Sequence, residues 1–299
     1  MKAGRYIHDG KVRPFLVLPS GELVDWRTVA TDWAPPQVRK VVGQALDSGT
    51  DADFLAALPI LEEYLAGEGN EVSAAGGDIL GGGRLAPPLI PRNFLCIGLN
   101  YLDHARESKM ELPVRPLLFA KTANAISGHG FSIATPKGAE QLDFEAELAV
   151  VIGRRCSRVG ATEALKYVAG YTCANDISAR DFQFADGQWY RGKSCDGFGP
   201  LGPWLVTASE IPDARNLRIS CRVNGATMQD STTSNLIFGV PELVEFISSY
   251  ITLEAGDVIA TGTPPGVGFA RKPPVYLRPG DVVEVEIERI GILRNTIQA

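Results

Sequence analysis

Glu145 and Glu147 stand at the entrance to an apolar run, in the stretch LDFEAELAVVIG (142–153). The residues from Leu148 to Ile152 are rich in β-branched types and read as a strand with buried faces. Side chains two apart on a strand share a face, so both carboxylates point one way, with Asp143 in the same phase. Like charges crowded beside a core are costly unless one is protonated, basic side chains intervene, or a cation binds between them. The fold must bring one of these remedies to residues 145 and 147, or leave that sheet face in water.

A second acidic position favours the cation. In VAGYTCANDISARDFQ (168–183) an apolar stretch turns polar at Asn175-Asp176, and Asp176 would supply a third carboxylate. The chain has three histidines (His8, His104, His129) and five cysteines without C-x-x-C spacing, so a zinc or copper site is poorly supplied. Oxygen ligands suit Mg²⁺, Mn²⁺ or Ca²⁺ instead.

The charge balance excludes one class of partner. A net charge of −6 and a pI near 5.3 give no basic surface for nucleic acid. The start, MKAGRYIHDGKVRP, has no apolar signal core, and no uncharged run is long enough to cross a bilayer. The cysteines read as reduced, buried thiols. The expectation is a cytoplasmic chain with no membrane partner.

At 299 residues the chain is long enough for two domains. Residues 1–30 alternate and turn as a β-meander or hairpin pair. Two helical patterns follow, Val38-Val41-Val42-Ala45 and Phe54-Leu55-Leu58-Leu61-Leu65. Glycines at 76–83 and prolines at 87–91 then break the composition, which predicts a small α/β N-terminal domain over 1–91 and a second, larger domain over 92–299. Beyond residue 92 short strands recur between Gly, Pro and Asp turns, with helices at 162–169 and 240–250. LEAGDVIATG (253–262) and LRPGDVVEVEI (277–287) each place Gly-Asp in a turn before a strand. The pattern predicts a β-rich α+β fold and not a Rossmann sheet.

Several other residues suit chemistry. His104 and Glu107 lie three apart in LNYLDHARES (99–108); with Asn100 capping a short helix they would share a face. Such a pair activates water as a general base, or is simply an exposed surface pair. Lys193, in WYRGKSCDGFGPLGPW (189–204), sits where an ammonium would meet an oxyanion, or in a flexible loop. Its neighbour Cys195 lacks any cysteine-protease signature and reads as a structural thiol. The loop ATGTPPGVG (260–268) lacks a Walker lysine; its amides with Thr261 or Thr263 would hold a substrate carboxylate or make a plain turn. Arg180 and Gln183 add a cation and an amide near Asp176, or serve as structural contacts.

Together these blocks resemble the fumarylacetoacetate hydrolase superfamily. NFLCIGLNYLDHARE, RPLLFAKT, LDFEAELAVVIG, GYTCANDISARDFQ, GKSCDGFGPLGPWLV, LEAGDVIATGTPPGVG and LRPGDVVEVEIERIGILRN occur in the family's order, from about residue 93 to the C-terminus. The N-terminal third resembles the small variable domain that often precedes the core in bacterial members. The resemblance implies a mixed β-roll or barrel-like core, usually in a homodimer. It implies that Glu145, Glu147 and Asp176 hold Mg²⁺ or Mn²⁺, and that His104 with Glu107 is the water-activating dyad. It also implies that Lys193 lies near the reacting carbonyl and that Arg180, Gln183 and Thr263 belong to the substrate pocket. Lys121, in LLFAKT, matches a motif without an assigned role.

The expected activity is metal-dependent hydrolysis of a carbon–carbon bond in a 2,4-dioxo acid, an acylpyruvate-like substrate. In that scheme His104 activates water and Lys193 steadies the oxyanion. The runner-up is an oxaloacetate-type decarboxylase, or a 2-hydroxyhepta-2,4-diene-1,7-dioate-type isomerase, in aromatic or sugar-acid catabolism. A non-catalytic binding protein on the same fold is the alternative of another class. The mixed charge and proline of ESKMELPVRP predict that 105–117 orders over bound substrate.

Overall fold

The apolar run forms the strand Ala146–Ile152, buried along its whole length, and the architecture is laid out around it. The computed structural model describes residues 1–29, 34–67, 84–103 and 112–299. The strand pairs antiparallel with Val168–Asn175 on one side and Val258–Ala260 on the other. Alternation then divides its side chains between two cores. Leu148, Val150 and Ile152 pack with a second sheet, while Ala149 and Val151 pack toward the N-terminal helices.

The large sheet runs, in hydrogen-bonded order, Leu23–Asp25, Lys11–Val17, Lys2–His8, Gly199–Thr207, Val168–Asn175, Ala146–Ile152, Val258–Ala260, Phe94–Gly98 and Leu117–Lys121. Arg84–Ala86 and Ile126–Gly128 join it off this path. The second sheet runs Ala226–Thr232, Arg218–Val223, Val282–Ile287, Gly291–Gln298 and Ser132–Ala134. Both sheets are open, so the fold is β-rich and mixed, without a closed barrel. No helix among the described residues is long and apolar enough to cross a membrane.

The N-terminal meander and the two helices, Pro36–Ser48 and Asp51–Ala66, lie where their patterns place them. Their spatial relation to the rest was not legible. Lys2 and Ala3 pair with Val206 and Leu205, and helix residues such as Phe54 and Leu58 share one core with Phe94, Cys96 and Val151. The glycine-rich break at 76–83 lies outside the described residues.

One helix differs from its pattern. The predicted helix at 162–169 shrinks to Ala161–Ala164 and a 3₁₀ turn over Leu165–Tyr167. Val168 is drawn into the sheet opposite Ile152, and that pairing overrides local propensity. The other, Val240–Ser248, keeps its proline in the first turn.

Candidate active site

The pairing of Ala146 with Asn175 brings Glu145, Glu147 and Asp176 to one end of the central strands. Main-chain bonds fix the corner. Asp176 N donates to Glu145 O at 2.9 Å, and Glu145 N donates to Asn175 Oδ1 at 3.0 Å. One carboxylate oxygen from each of the three residues lies within 4.8 Å of the others, and all three residues are buried.

Three basic side chains enter this cluster. Lys193 Nζ donates to Glu145 Oε2 and to Asp176 Oδ2, each at 2.7 Å. Arg180 donates through Nη2 to Glu145 Oε1 at 2.5 Å, through Nε to Asp143 Oδ2 at 2.8 Å, and through Nη1 to Gln183 Oε1 at 2.9 Å. Lys121 Nζ lies 2.6 Å from Asp176 Oδ1 and donates to Ile177 O at 3.1 Å and to Lys193 O. Its contact with Asp176 is an ion pair without hydrogen-bond alignment, so that buried oxygen has no hydrogen-bond partner.

The carboxyl groups outnumber the cations. Among the described residues, Asp143, Glu145, Glu147 and Asp176 face Lys121, Arg180 and Lys193, all buried, one carboxyl group more than the cations can pair. The excess falls on Glu147. Its Oε2 accepts the Gly262 N–H at 2.8 Å, but no ion pair to it forms among the described residues. Burial, then Asp176 and Glu145, push its carboxyl well above the usual range. Burial works against Glu145 ionising too, yet Lys193 and Arg180 outweigh it and hold that carboxyl down at about 2. Burial also opposes the Lys193 charge, but Asp176 and Glu145 raise its pKa, so it stays an ammonium.

An all-oxygen, buried, under-neutralised trio fits a hard divalent cation such as Mg²⁺ or Mn²⁺. Asp143 does not join the trio. It takes Arg180 on Oδ2 and the Gly268 N–H on Oδ1 at 2.6 Å.

The loop 260–268 was expected to hold a substrate carboxylate or to make a plain turn, and two of its amides are turned inward. Those of Gly262 and Gly268 go to the protein's own Glu147 and Asp143. Gly262 has φ +101°, and a Cβ there would lie 2.8 Å from Asn100 Cβ, so only glycine fits. Thr263 Oγ1 donates to Ala146 O at 3.0 Å and accepts from Gln229 Nε2 at 2.8 Å. The Asn100 side chain bonds Phe238 and Thr261 across the fold, and most of the short helix it was expected to cap lies outside the described residues.

A cavity of about 200 Å³ opens onto this cluster. Glu145, Glu147, Arg180, Gln183, Lys193 and Thr263 form its polar lining, so six of the expected site residues meet in one place. Asp176 lies behind them, bonded to Lys193. Ile97, Leu99, Phe119, Phe184, Trp189 and Phe269 form its apolar lining. Of the two readings of Lys193, the flexible loop is excluded, because the residue is 2% exposed. Cys195 Sγ donates to Arg191 O at 3.2 Å, and burial pushes its thiol up, as suits a structural cysteine. His104 and Glu107 lie outside the described residues, as does most of the 105–117 segment.

Sequence reasoning missed the roles of Asp143, Lys121 and Gln229 and the aromatic half of the cavity. Lys121 carried a signal in LLFAKT; Gln229 carried none, because its exposed-edge strand conceals an inward-facing side chain.

Comparison with known proteins shows the family. The fumarylacetoacetate (FAA) hydrolase C-terminal family matches residues 93–298. The chain belongs to the fumarylacetoacetate hydrolase family. Among its relatives, a mitochondrial oxaloacetate tautomerase of Bos taurus is 48% identical over 215 residues, covering 71% of this chain and 68% of the relative. The solved fumarylacetoacetate hydrolase of Exiguobacterium antarcticum superposes with a TM-score of 0.81 at 35% identity, over 100% of this chain and 99% of that one. The 5-carboxymethyl-2-hydroxymuconate delta-isomerase of Mycobacterium smegmatis gives 0.75 at 32% identity, over 100% and 98%. Both structural matches include the N-terminal segment.

Proposed function

We propose that the protein is a divalent-metal-dependent enzyme that interconverts the keto and enol forms of a 2-oxo acid. The observation that carries this reading is the buried trio Glu145, Glu147 and Asp176 with Lys193 between two of its members, at the polar end of a small cavity. The names of relatives lend support, since oxaloacetate tautomerases and a muconate isomerase both shift a proton next to a carbonyl. Mg²⁺ or Mn²⁺ would be held by the trio and, when bound, supplies Lewis-acid polarisation of the 2-oxo group.

The chain's own groups do the rest. Lys193, kept protonated by Asp176 and Glu145, donates to the oxygen on which charge develops. Arg180 fixes Glu145 and the Gln183 amide, which leaves the Gln183 Nε2 as a donor toward the head group. Thr263 is locked by Ala146 and Gln229 and sets the shape of the polar end. On its sequence position, His104 held by Glu107 takes the C3 proton, and the same imidazolium returns a proton to the enolate oxygen. Assembly as a homodimer belongs to this proposal.

A second reading is hydrolytic cleavage of a 2,4-dioxo acid. The His104–Glu107 spacing favours it, because the same pair can deprotonate water. One experiment separates the two. Enol absorbance of oxaloacetate and of an acylpyruvate is followed with Mg²⁺, Mn²⁺ or EDTA, with pyruvate assayed in parallel. Metal-dependent approach to keto–enol equilibrium without pyruvate release is expected. Enzyme-dependent pyruvate from the acylpyruvate would replace the tautomerase reading with the hydrolase, and pyruvate from oxaloacetate alone would indicate a decarboxylase. Silence on every count would leave the binding protein.

A further inference from the structure

The cavity changes character along its length. At the charged end Lys193 Nζ lies 5.2 Å from the centroid of the Phe119 ring, and the Arg180 guanidinium carbon 4.4 Å from that of Phe269. Each of these inner rings carries an outer one. Trp189 meets Phe119 edge-on with centroids 5.3 Å apart, and Phe184 meets Phe269 edge-on at 5.7 Å. Phe184 is 58% exposed, so the series leads from the acidic cluster to solvent.

The backbone is shaped to admit one of these rings. A Cβ added at Gly98 would lie 2.7 Å from Trp189 Cζ3, so the indole packs on bare backbone there. The basic groups of the lining are already engaged, Lys193 by two carboxylates and Arg180 by Asp143, Glu145 and Gln183. What the described lining offers beyond the head group is therefore ring face and ring edge, and these hold flat apolar groups best.

We propose that the Phe119–Trp189 and Phe184–Phe269 pairs are a clasp that selects 2-oxo acids bearing a flat, apolar substituent beyond the head group. This rests on the reading of the site as a 2-oxo acid site. Trp189 and Phe184 are the specificity-determining members, and Gly98 keeps the space that Trp189 fills.

The test compares an acylpyruvate with a phenyl substituent and one with a methyl substituent, on the full-length enzyme with Mg²⁺. The phenyl compound should have a kcat/KM about tenfold higher, mostly through KM, as expected from two ring contacts. Trp189→Ala, Phe184→Ala and Gly98→Ala should each collapse that ratio severalfold. Phe184→Ala, at an exposed position, keeps the test valid should either of the others fail to fold. Equal efficiency for the two compounds in the wild type, or a ratio untouched by all three substitutions, would overturn the clasp. Quenching of tryptophan fluorescence by the same compounds provides a readout without turnover. Tighter quenching by the phenyl compound, weakened in Phe184→Ala, with no turnover of either, would sustain the clasp while removing the proposed reaction. Turnover without phenyl preference would do the reverse.

Discussion

Replacing Lys193 with methionine removes the ammonium that Glu145 and Asp176 share at 2.7 Å each, with little change in volume. Taking one partner from a buried ion pair costs about 3–5 kcal/mol, because the remaining charges stay desolvated. For a chain of 299 residues the unfolding entropy is about 0.6 kcal/mol/K, so Tm should fall by about 5–8 °C. The loss should depend on pH. Glu145 is held at about 2 against an ordinary 4.5, so its contribution is whole above pH 4.5 and is lost as pH falls from there toward 2. Lys193 is raised above its ordinary 10.5, so its contribution is whole below that pH and is lost as pH rises through the folded value. The gap between wild type and variant is therefore widest between about pH 5 and 10 and narrows in acid. Mg²⁺ should raise Tm more in the variant than in the wild type, since a cation bound only to the native state now meets two uncompensated charges. Thermal melts in EDTA and in Mg²⁺ across this pH range test all three points. A Tm drop under about 2 °C at pH 7, or an equal drop at pH 4 and pH 7, would refute the account of the cluster.

Other substitutions separate the members of the site. Glu147→Gln should raise Tm slightly in EDTA, because it neutralises the carboxylate that burial and its neighbours disfavour, while calorimetric Mn²⁺ affinity falls at least about tenfold; unchanged Mn²⁺ affinity would remove Glu147 from the ligand set. Gly262→Ala should cost about 1–3 kcal/mol and weaken Mn²⁺ binding, since a side chain at φ +101° is strained and meets Asn100; a stability equal to wild type in urea melts would count against the close approach. His104→Ala should leave Mn²⁺ affinity intact and reduce turnover by about 100-fold or more, the usual worth of a general base; full turnover would dismiss it.

Much of the site was legible because strand alternation is local. Residues two apart in extended backbone share a face, so Glu145 and Glu147 were expected together although the strand itself begins at Ala146, and the apolar run after them was expected to be buried. Asp176, Lys193, Arg180, Gln183 and Thr263 were reachable through their motifs, and six of the expected residues line one cavity. The pattern could not say what those motifs do to one another. Arg180 reads as a substrate contact in ARDFQ, and in the fold its guanidinium also bonds Asp143, Glu145 and Gln183. The glycine-rich loop read as a substrate cradle or a plain turn, and the pattern could not show that its Gly262 and Gly268 amides steady Glu147 and Asp143.

The sequence alone determined that the site is supplied with carboxylates and few soft ligands, and it determined the apolar strand beside them. Only the tertiary structure decided the charge balance. Arg180 lies 37 positions from Asp143 and Lys193 lies 48 from Glu145, and Lys121 comes from a different strand again. Periodicity reports which way a side chain points, whereas its ionisation depends on what the rest of the chain folds against it.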